Sequence, residues 1–241
     1  MGTLYIVATP IGNLKDLSLR AMELLSSIEF IACEDTRKTG YLLKFIAETL
    51  KLDSSRRRPT LLSYYEQNEF MRTPQIIAAL KNGADVALIS DAGTPTISDP
   101  GFKLVRACVQ EGIPVDALPG PSSPVQALVL SGLPTDKFLF LGFLPKKPGH
   151  RKTLLENIVK SQELVKTTVS LFEAPHRLLK TLHELKEIFG DIHIVIAREL
   201  TKVHQEIRRE PISASIAHFT KTTPKGEFVI LLNYKEEGIE I

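Results

Sequence analysis

The feature that most constrains this chain is its repeated switch between short β-branched apolar runs and amphipathic stripes. Thr3 to Thr9 (TLYIVAT) is such a run, closed by Pro10-Ile11-Gly12-Asn13, and it reads as a strand entering a turn. Leu17, Ala21, Leu24, Leu25 and Ile28 then recur at the three-and-four spacing of one helix face. The alternation continues with a strand over 28–33, a helix from Thr36 to Thr49, a strand from Leu61 to Tyr65 and a helix ending near Leu80. A strand from Asp85 to Ser90, a helix from Gly101 to Gln110 and a strand from Pro114 to Leu118 complete the first half. Strands and helices in strict alternation predict a mostly parallel sheet covered on both faces.

Pro119-Gly120-Pro121 is the most rigid and turn-prone point in mid-chain, so the expected division is an N-terminal α/β domain over 1–118 and a C-terminal α/β domain over 119–241. The second half reads as a helix from Pro124 to Leu130, strand 138–143, helix 151–160, strand 168–173, helix 176–188 and strand 192–197. A charged stretch 199–211, a short helix 212–219 and a last strand 227–233 follow. A length of 241 residues accommodates two such units. Two α/β domains of this size are expected to form a cleft, where ligands commonly bind.

With 30 Lys and Arg against 28 Asp and Glu, the formal charge is only +2, so any nucleic-acid site must be a local patch. Cys33 and Cys108 sit in apolar surroundings without neighbouring Cys or His at metal-ligand spacing, which points to reduced, buried thiols and no metal. No apolar segment approaches membrane-spanning length and no signal peptide opens the chain, so a cytoplasmic protein is expected.

In parallel α/β sheets ligands bind beyond the carboxyl ends of the strands. Three loops there carry unusual chemistry: Thr9 to Leu14, Ser90 to Gly101 (SDAGTPTISDPG) and Leu118 to Pro124 (LPGPSSP). The second holds more turn residues and hydroxyls than a strand-to-helix link requires, and Asp91 is placed either to accept hydrogen bonds from a ribose or to cap a turn. Glu34-Asp35-Thr36-Arg37 also follows a strand. Its carboxylates and guanidinium form either a substrate or acid/base cluster or a helix cap with an ion pair. Basic residues collect at Arg56, Arg57 and Arg58, at Lys146, Lys147, Arg151 and Lys152, and at Arg177, with others at Arg198, Lys202, Arg208 and Arg209. The first three groups are expected to form a discontinuous positive rim that contacts RNA phosphates. Walker, dinucleotide-fingerprint, zinc-protease and nucleophile-elbow motifs do not occur, which removes support for those chemistries.

Taken in order, GTLYIVATPIGN (2–13), CEDTR (33–37), SDAGTPTISDPG (90–101), LPGPSS (118–123), GFLP (142–145), EAPHRLL (173–179), ARELTK (197–202) and KGEFV (225–229) resemble the ribosomal RNA small subunit methyltransferase I proteins, members of the tetrapyrrole methylase superfamily. The resemblance implies two α/β domains of the tetrapyrrole methylase type with a cofactor cleft between them, S-adenosylmethionine as cofactor, and a homodimer. It further implies 2′-O-methylation of a cytidine in small-subunit (16S) ribosomal RNA, with no DNA and no membrane as partner. By position in the family pattern, Pro10, Asp91, Thr94, Ser122, Ser123, Phe172, Arg198 and Gly226 would line the cofactor pocket. A sulfonium donor is already activated, so the protein's task is alignment and charge stabilisation without a metal. Glu34, Asp35 and Arg37 are the candidates to orient the ribose hydroxyl or balance its developing charge. Many family members continue past the KGEFV strand into a helical extension. For a chain ending at Ile241, the expectation is a grip on RNA through the dimer and the basic loops, or a shorter variant. A small-molecule corrin or tetrapyrrole-type methyltransferase and a non-catalytic ribosome-binding protein are the competing readings.

Overall fold

The computed structural model describes residues 1–53, 55 and 58–234. The chain forms two compact units, Met1–Ser122 and Ser123–Ile241. The Pro-Gly-Pro loop goes with the first unit, because Pro121 O accepts from the Thr94 hydroxyl at 3.0 Å.

In the first unit the elements are β1 (Leu4–Val7), α1 (Leu19–Ser27), β2 (Phe30–Cys33), α2 (Thr36–Thr49), β3 (Thr60–Ser63), α3 (Glu69–Lys81), β4 (Val86–Ile89), α4 (Phe102–Gln110) and β5 (Val115–Leu118). The sheet order is β3-β2-β4-β1-β5, and every neighbouring pair is parallel, where the alternation predicts a mostly parallel sheet. Strand side chains point alternately to two faces. Leu4, Ala32, Val86 and Leu88 pack with Ile76, Leu80, Leu104 and Cys108 of α3 and α4. Val7, Ile31, Cys33, Ala87 and Ile89 pack with Ala21, Leu25, Leu42 and Ile46 of α1 and α2 on the other face. The helix starts are fixed locally: Ser18 accepts from Ala21 N at 3.2 Å, and Asp35 accepts from Arg37 N at 2.8 Å.

The second unit comprises α5 (Ser123–Ser131), β6 (Phe138–Phe143), α6 (Pro148–Leu164), β7 (Thr168–Glu173), α7 (Leu178–Phe189), β8 (His193–Arg198), β9 (Glu206–Pro211), α8 (Ile212–Lys221) and β10 (Phe228–Leu232). Its sheet runs β6-β7-β10-β8-β9. Only the β6/β7 pair is parallel; the remaining pairs are antiparallel. One face carries Val169, Leu171, Ile194, Ile196, Phe228 and Ile230 against Leu155, Leu178, Leu182, Leu185 and Ile212, while α5 packs across β7, β8, β9 and β10.

Two elements differ from the sequence reading. The charged stretch 199–211 contains β9, an edge strand whose Arg208 is forked by Glu210 at 2.8 and 2.9 Å and also bonded to Glu206 at 3.0 Å. Charge pairing among half-buried side chains of this edge strand leaves no apolar alternation by which a strand is read. Helix α6 begins at Pro148 rather than 151, because proline at the first helical position is already set to the helical φ. Among the described residues no helix is long and apolar enough to cross a membrane.

Candidate functional site

Strand β4 lies between β2 and β1. The chain leaves β1 and β2 for helices on one face and β4 for a helix on the other, so the loops diverge at the carboxyl edge of these three strands and open a crevice there. Asp91 stands in it with 28% of its side chain exposed. Its Oδ1 accepts from Asp35 N at 3.1 Å, its Oδ2 pairs with Lys38 Nζ at 2.7 Å, and its own N–H donates to Glu34 Oε1 at 3.1 Å. The two acidic motifs, far apart in sequence, are therefore one network.

Electrostatics separate its carboxyls. Burial pushes the Glu34 carboxyl above the usual range, with the nearby Asp91 charge adding to it. The Arg37 side chain and backbone hold Asp35 well below that range, through a fork at 3.1 and 2.8 Å. Arg37 itself is 86% exposed. Asp99, at the far end of the same loop, is pushed up to about 6 by burial, with the charges of Glu34 and Asp91 adding to the shift. Asp35, Arg37, Lys38 and Tyr41 line a shallow open pocket beside this network. Lys38 and Asp99 escaped the sequence reading; Lys38 sits one helical position past the motif, and only the fold turns it toward Asp91.

The 91–101 loop is pinned at both ends. Thr9 and Gly93 exchange backbone hydrogen bonds at 2.9 and 3.0 Å, and the Thr9 hydroxyl donates to Ser90 O at 3.0 Å. At the other end Gly101 N donates at 3.0 Å to Glu69, a buried carboxylate paired with Lys103. Between them Thr96 and Ser98 hold φ of 74° and 63°. Strain of this kind in non-glycine residues concentrates at functional loops. Pro10 and Ser122 are half-buried in the adjoining loops, and Thr94 ties one loop to the other through Pro121.

Ser123, Phe172, Arg198 and Gly226 belong to the second unit. The last three lie at the same end of the sheet, since Phe228 is opposite both Glu173 and Arg198. The Phe172 ring meets Phe140 and Phe143 at centroid distances of 4.9 and 5.4 Å. Arg198 donates to Lys225 O at 2.7 Å and pairs with Glu206 at 3.1 Å. Gly226 turns with φ 94° directly over the Glu199 carboxylate, which accepts from Glu227 N and Lys202.

The expected basic rim needs correction. Arg58, Lys146, Lys147 and Lys152 are exposed, and Lys152 lies 3.5 Å from Glu187. Arg151 is only 3% exposed and forked onto Glu184, while Arg177, 18% exposed, lies against Glu173. A guanidinium that is itself largely buried and whose donors are spent on protein partners is not a free surface cation. Arg209 is exposed, and its guanidinium donates to the carbonyls of Leu130 and Ser131 at the end of α5. Arg56 and Arg57 lie outside the described residues.

Residues 3–215 match the family model described as Tetrapyrrole (Corrin/Porphyrin) Methylases. The chain is 45% identical over 98% of its length to the full-length "Ribosomal RNA small subunit methyltransferase I" of Thermotoga maritima. It is 45% identical to the protein of that name from Synechocystis sp., with 96% of this chain and 79% of the relative covered. Among solved structures, the methyltransferase CobJ superposes with TM-score 0.68 at 17% identity, covering 97% of this chain and 95% of CobJ. The uroporphyrin-III C-methyl transferase of Thermus thermophilus, complexed with S-adenyl homocysteine, superposes with TM-score 0.63 at 16% identity over 95% of this chain and 97% of its own. At such identities the structures establish likeness of fold.

Proposed function

The chain belongs to the tetrapyrrole methylase family and, within it, to the ribosomal RNA small subunit methyltransferase I proteins, and on that premise we propose that it methylates the 2′-hydroxyl of a cytidine in small-subunit ribosomal RNA, with S-adenosylmethionine as donor. The observation that carries this reading is the near-full-length likeness to relatives of that name.

The residues present fit a nucleoside-bearing donor. Asp91 keeps part of its carboxylate open at the end of β4, a ready acceptor for ribose hydroxyls. The loops around it are tied to each other by the Thr9–Gly93 backbone pair and by the Thr94 hydroxyl on Pro121 O, so the edge is preorganised. The proposed cofactor set is Pro10, Asp91, Thr94 and Ser122 on the first unit and Ser123, Phe172, Arg198 and Gly226 on the second.

When bound, S-adenosylmethionine supplies a methyl carbon activated by its sulfonium: the ribose oxygen bonds to that carbon as the carbon–sulfur bond breaks, and the hydroxyl proton leaves. Glu34, held by the Asp91 amide and raised in pKa by burial, is the group suited to take that proton. Asp35, committed to Arg37 and to capping α2, positions rather than reacts. Lys38 fixes Asp91 through their ion pair. The working form is proposed to be a cytoplasmic homodimer, acting where ribosomal subunits assemble.

Transfer of tritiated methyl groups tests the reading. Label in a ribose-methylated cytidine of small subunits is the expected result. Label on a corrinoid instead, or cofactor binding without transfer to RNA, overturns it, and sedimentation of a fully active monomer overturns the dimer.

A further inference from the structure

Two arginines grouped by sequence with the surface cations are turned inward onto a single turn. Leu144, Pro145 and Lys146 follow β6, and the carbonyl oxygens of all three accept from guanidinium groups. Leu144 O accepts from Arg177 Nη2 at 2.9 Å, and Pro145 O and Lys146 O accept from Arg151 Nη1 at 3.0 and 3.2 Å. Each guanidinium is held from behind. Arg151 is forked by Glu184 of α7 through Nε and Nη2. Arg177 Nε lies 3.3 Å from Glu173, a buried carboxylate that also accepts from Ala174 N and the Thr181 hydroxyl. Leu144, 1% exposed, anchors the turn in the core.

An ordinary surface turn needs none of this, because water satisfies its carbonyls. Desolvating two guanidinium–carboxylate pairs is costly, and such pairs fix geometry more than they stabilise. What they fix here is the path of the chain under Lys146 and Lys147. Both side chains are exposed, and among the described residues neither makes an ion pair, in contrast to Lys152 with Glu187. Two adjacent, uncompensated ammonium groups on a rigid backbone match the spaced negative charges of a nucleic-acid strand.

We infer that Arg151 and Arg177 are positioning residues for RNA binding: they clamp the 144–147 turn by its carbonyls so that Lys146 and Lys147 meet the phosphates of an RNA strand in a preset geometry. The inference rests on the RNA reading of the preceding subsection. Holding the turn in advance removes the cost of ordering it on binding, so the clamp acts on affinity without touching RNA.

A double-mutant cycle tests this, measured as binding of a labelled single-stranded RNA and of purified small subunits across a potassium chloride series. Lys146→Ala with Lys147→Ala is expected to weaken binding on the order of tenfold and to lower the salt slope by about 1.4, roughly 0.7 per lost single-strand contact. Arg151→Gln is expected to weaken binding comparably in the wild-type chain and to cause no further loss once the lysines are gone. Amide exchange over 144–147 should rise while calorimetric cofactor affinity holds. Equal loss from Arg151→Gln with and without the lysines, or unchanged RNA binding despite faster exchange, overturns the inference. If Arg151→Gln does not fold, Arg177→Gln carries the same cycle with the Arg151–Glu184 pair intact. A wild-type chain that neither binds RNA nor methylates small subunits defeats the functional reading and the inference with it; a failed cycle in an active enzyme defeats the inference alone.

Discussion

Asp91 Oδ1 accepts a hydrogen bond from the backbone amide of Asp35 at 3.1 Å, across 56 residues of sequence. The bond fastens the loop after β4 to the cap of α2, and it means that Asp91 serves the scaffold with one oxygen and pairs with Lys38 through the other. Asp91→Ala is therefore expected to weaken S-adenosylmethionine binding by about 1 to 3 kcal/mol, the range for losing a charge-assisted hydrogen bond. Asp91→Asn, which keeps an acceptor for the Asp35 amide, should melt closer to wild type than the alanine variant does. Isothermal calorimetry on folded protein checks the first; unchanged affinity in Asp91→Ala would remove Asp91 from the cofactor site.

Asp99 gives a pH-dependent expectation. Its folded pKa of about 6 lies above the ordinary 3.8, so the folded state holds the proton more tightly than the unfolded chain does. The protein then loses stability as pH rises from about 3.8 through about 6, and the penalty persists above that window. Asp99→Asn should accordingly raise stability above pH ~6 by on the order of 1 kcal/mol after allowance for solvent access, seen as a higher melting temperature there, and confer no such gain below the unfolded pKa. Thermal melts at a series of pH values read this directly, and a gain independent of pH would show that Asp99 does not titrate as stated.

Gly101 closes the loop with φ 128°, and a Cβ there would lie 2.5 Å from Leu88 Cδ2. Gly101→Ala is expected to destabilise the protein by about 1 to 3 kcal/mol through overpacking and backbone strain, and to displace the amide that donates to Glu69. Urea titration with an unchanged midpoint would contradict this.

At Gly226 the obstacle is a side chain: an added Cβ would sit 2.6 Å from the Glu199 carboxylate, at φ 94°. Gly226→Ala should lower stability and push Glu199 off the Glu227 amide and Lys202. Adding Glu199→Ala removes the clash but not the strain, so the two losses should sum to more than the double variant shows. Strict additivity in thermal melts would mean the contact does not matter.

The second unit shows where reading the chain stops. The apolar face of α7, with Leu178, Leu182, Leu185 and Phe189 buried, was legible because helical spacing is a local property. The strand Glu206–Pro211 was not, since its Glu and Arg residues satisfy one another along the strand and leave no apolar period to see. Arg151 and Lys152 are adjacent and look alike in sequence, yet one is buried and the other exposed.

Two α/β units, a mostly parallel first sheet and the loops that carry polar chemistry were legible in the sequence, because periodicity and turn residues act over a few neighbours; that every pair in that sheet is parallel came from the fold. Tertiary structure alone decided that β4 inserts between β2 and β1, which brings Asp91 onto Glu34 and Asp35, and that Arg151 finds Glu184, 33 residues away. Strand order and the fate of a buried charge depend on which distant groups arrive to pair with it. A local pattern names the face a residue uses, whereas the partner waiting there is set by how the whole chain packs.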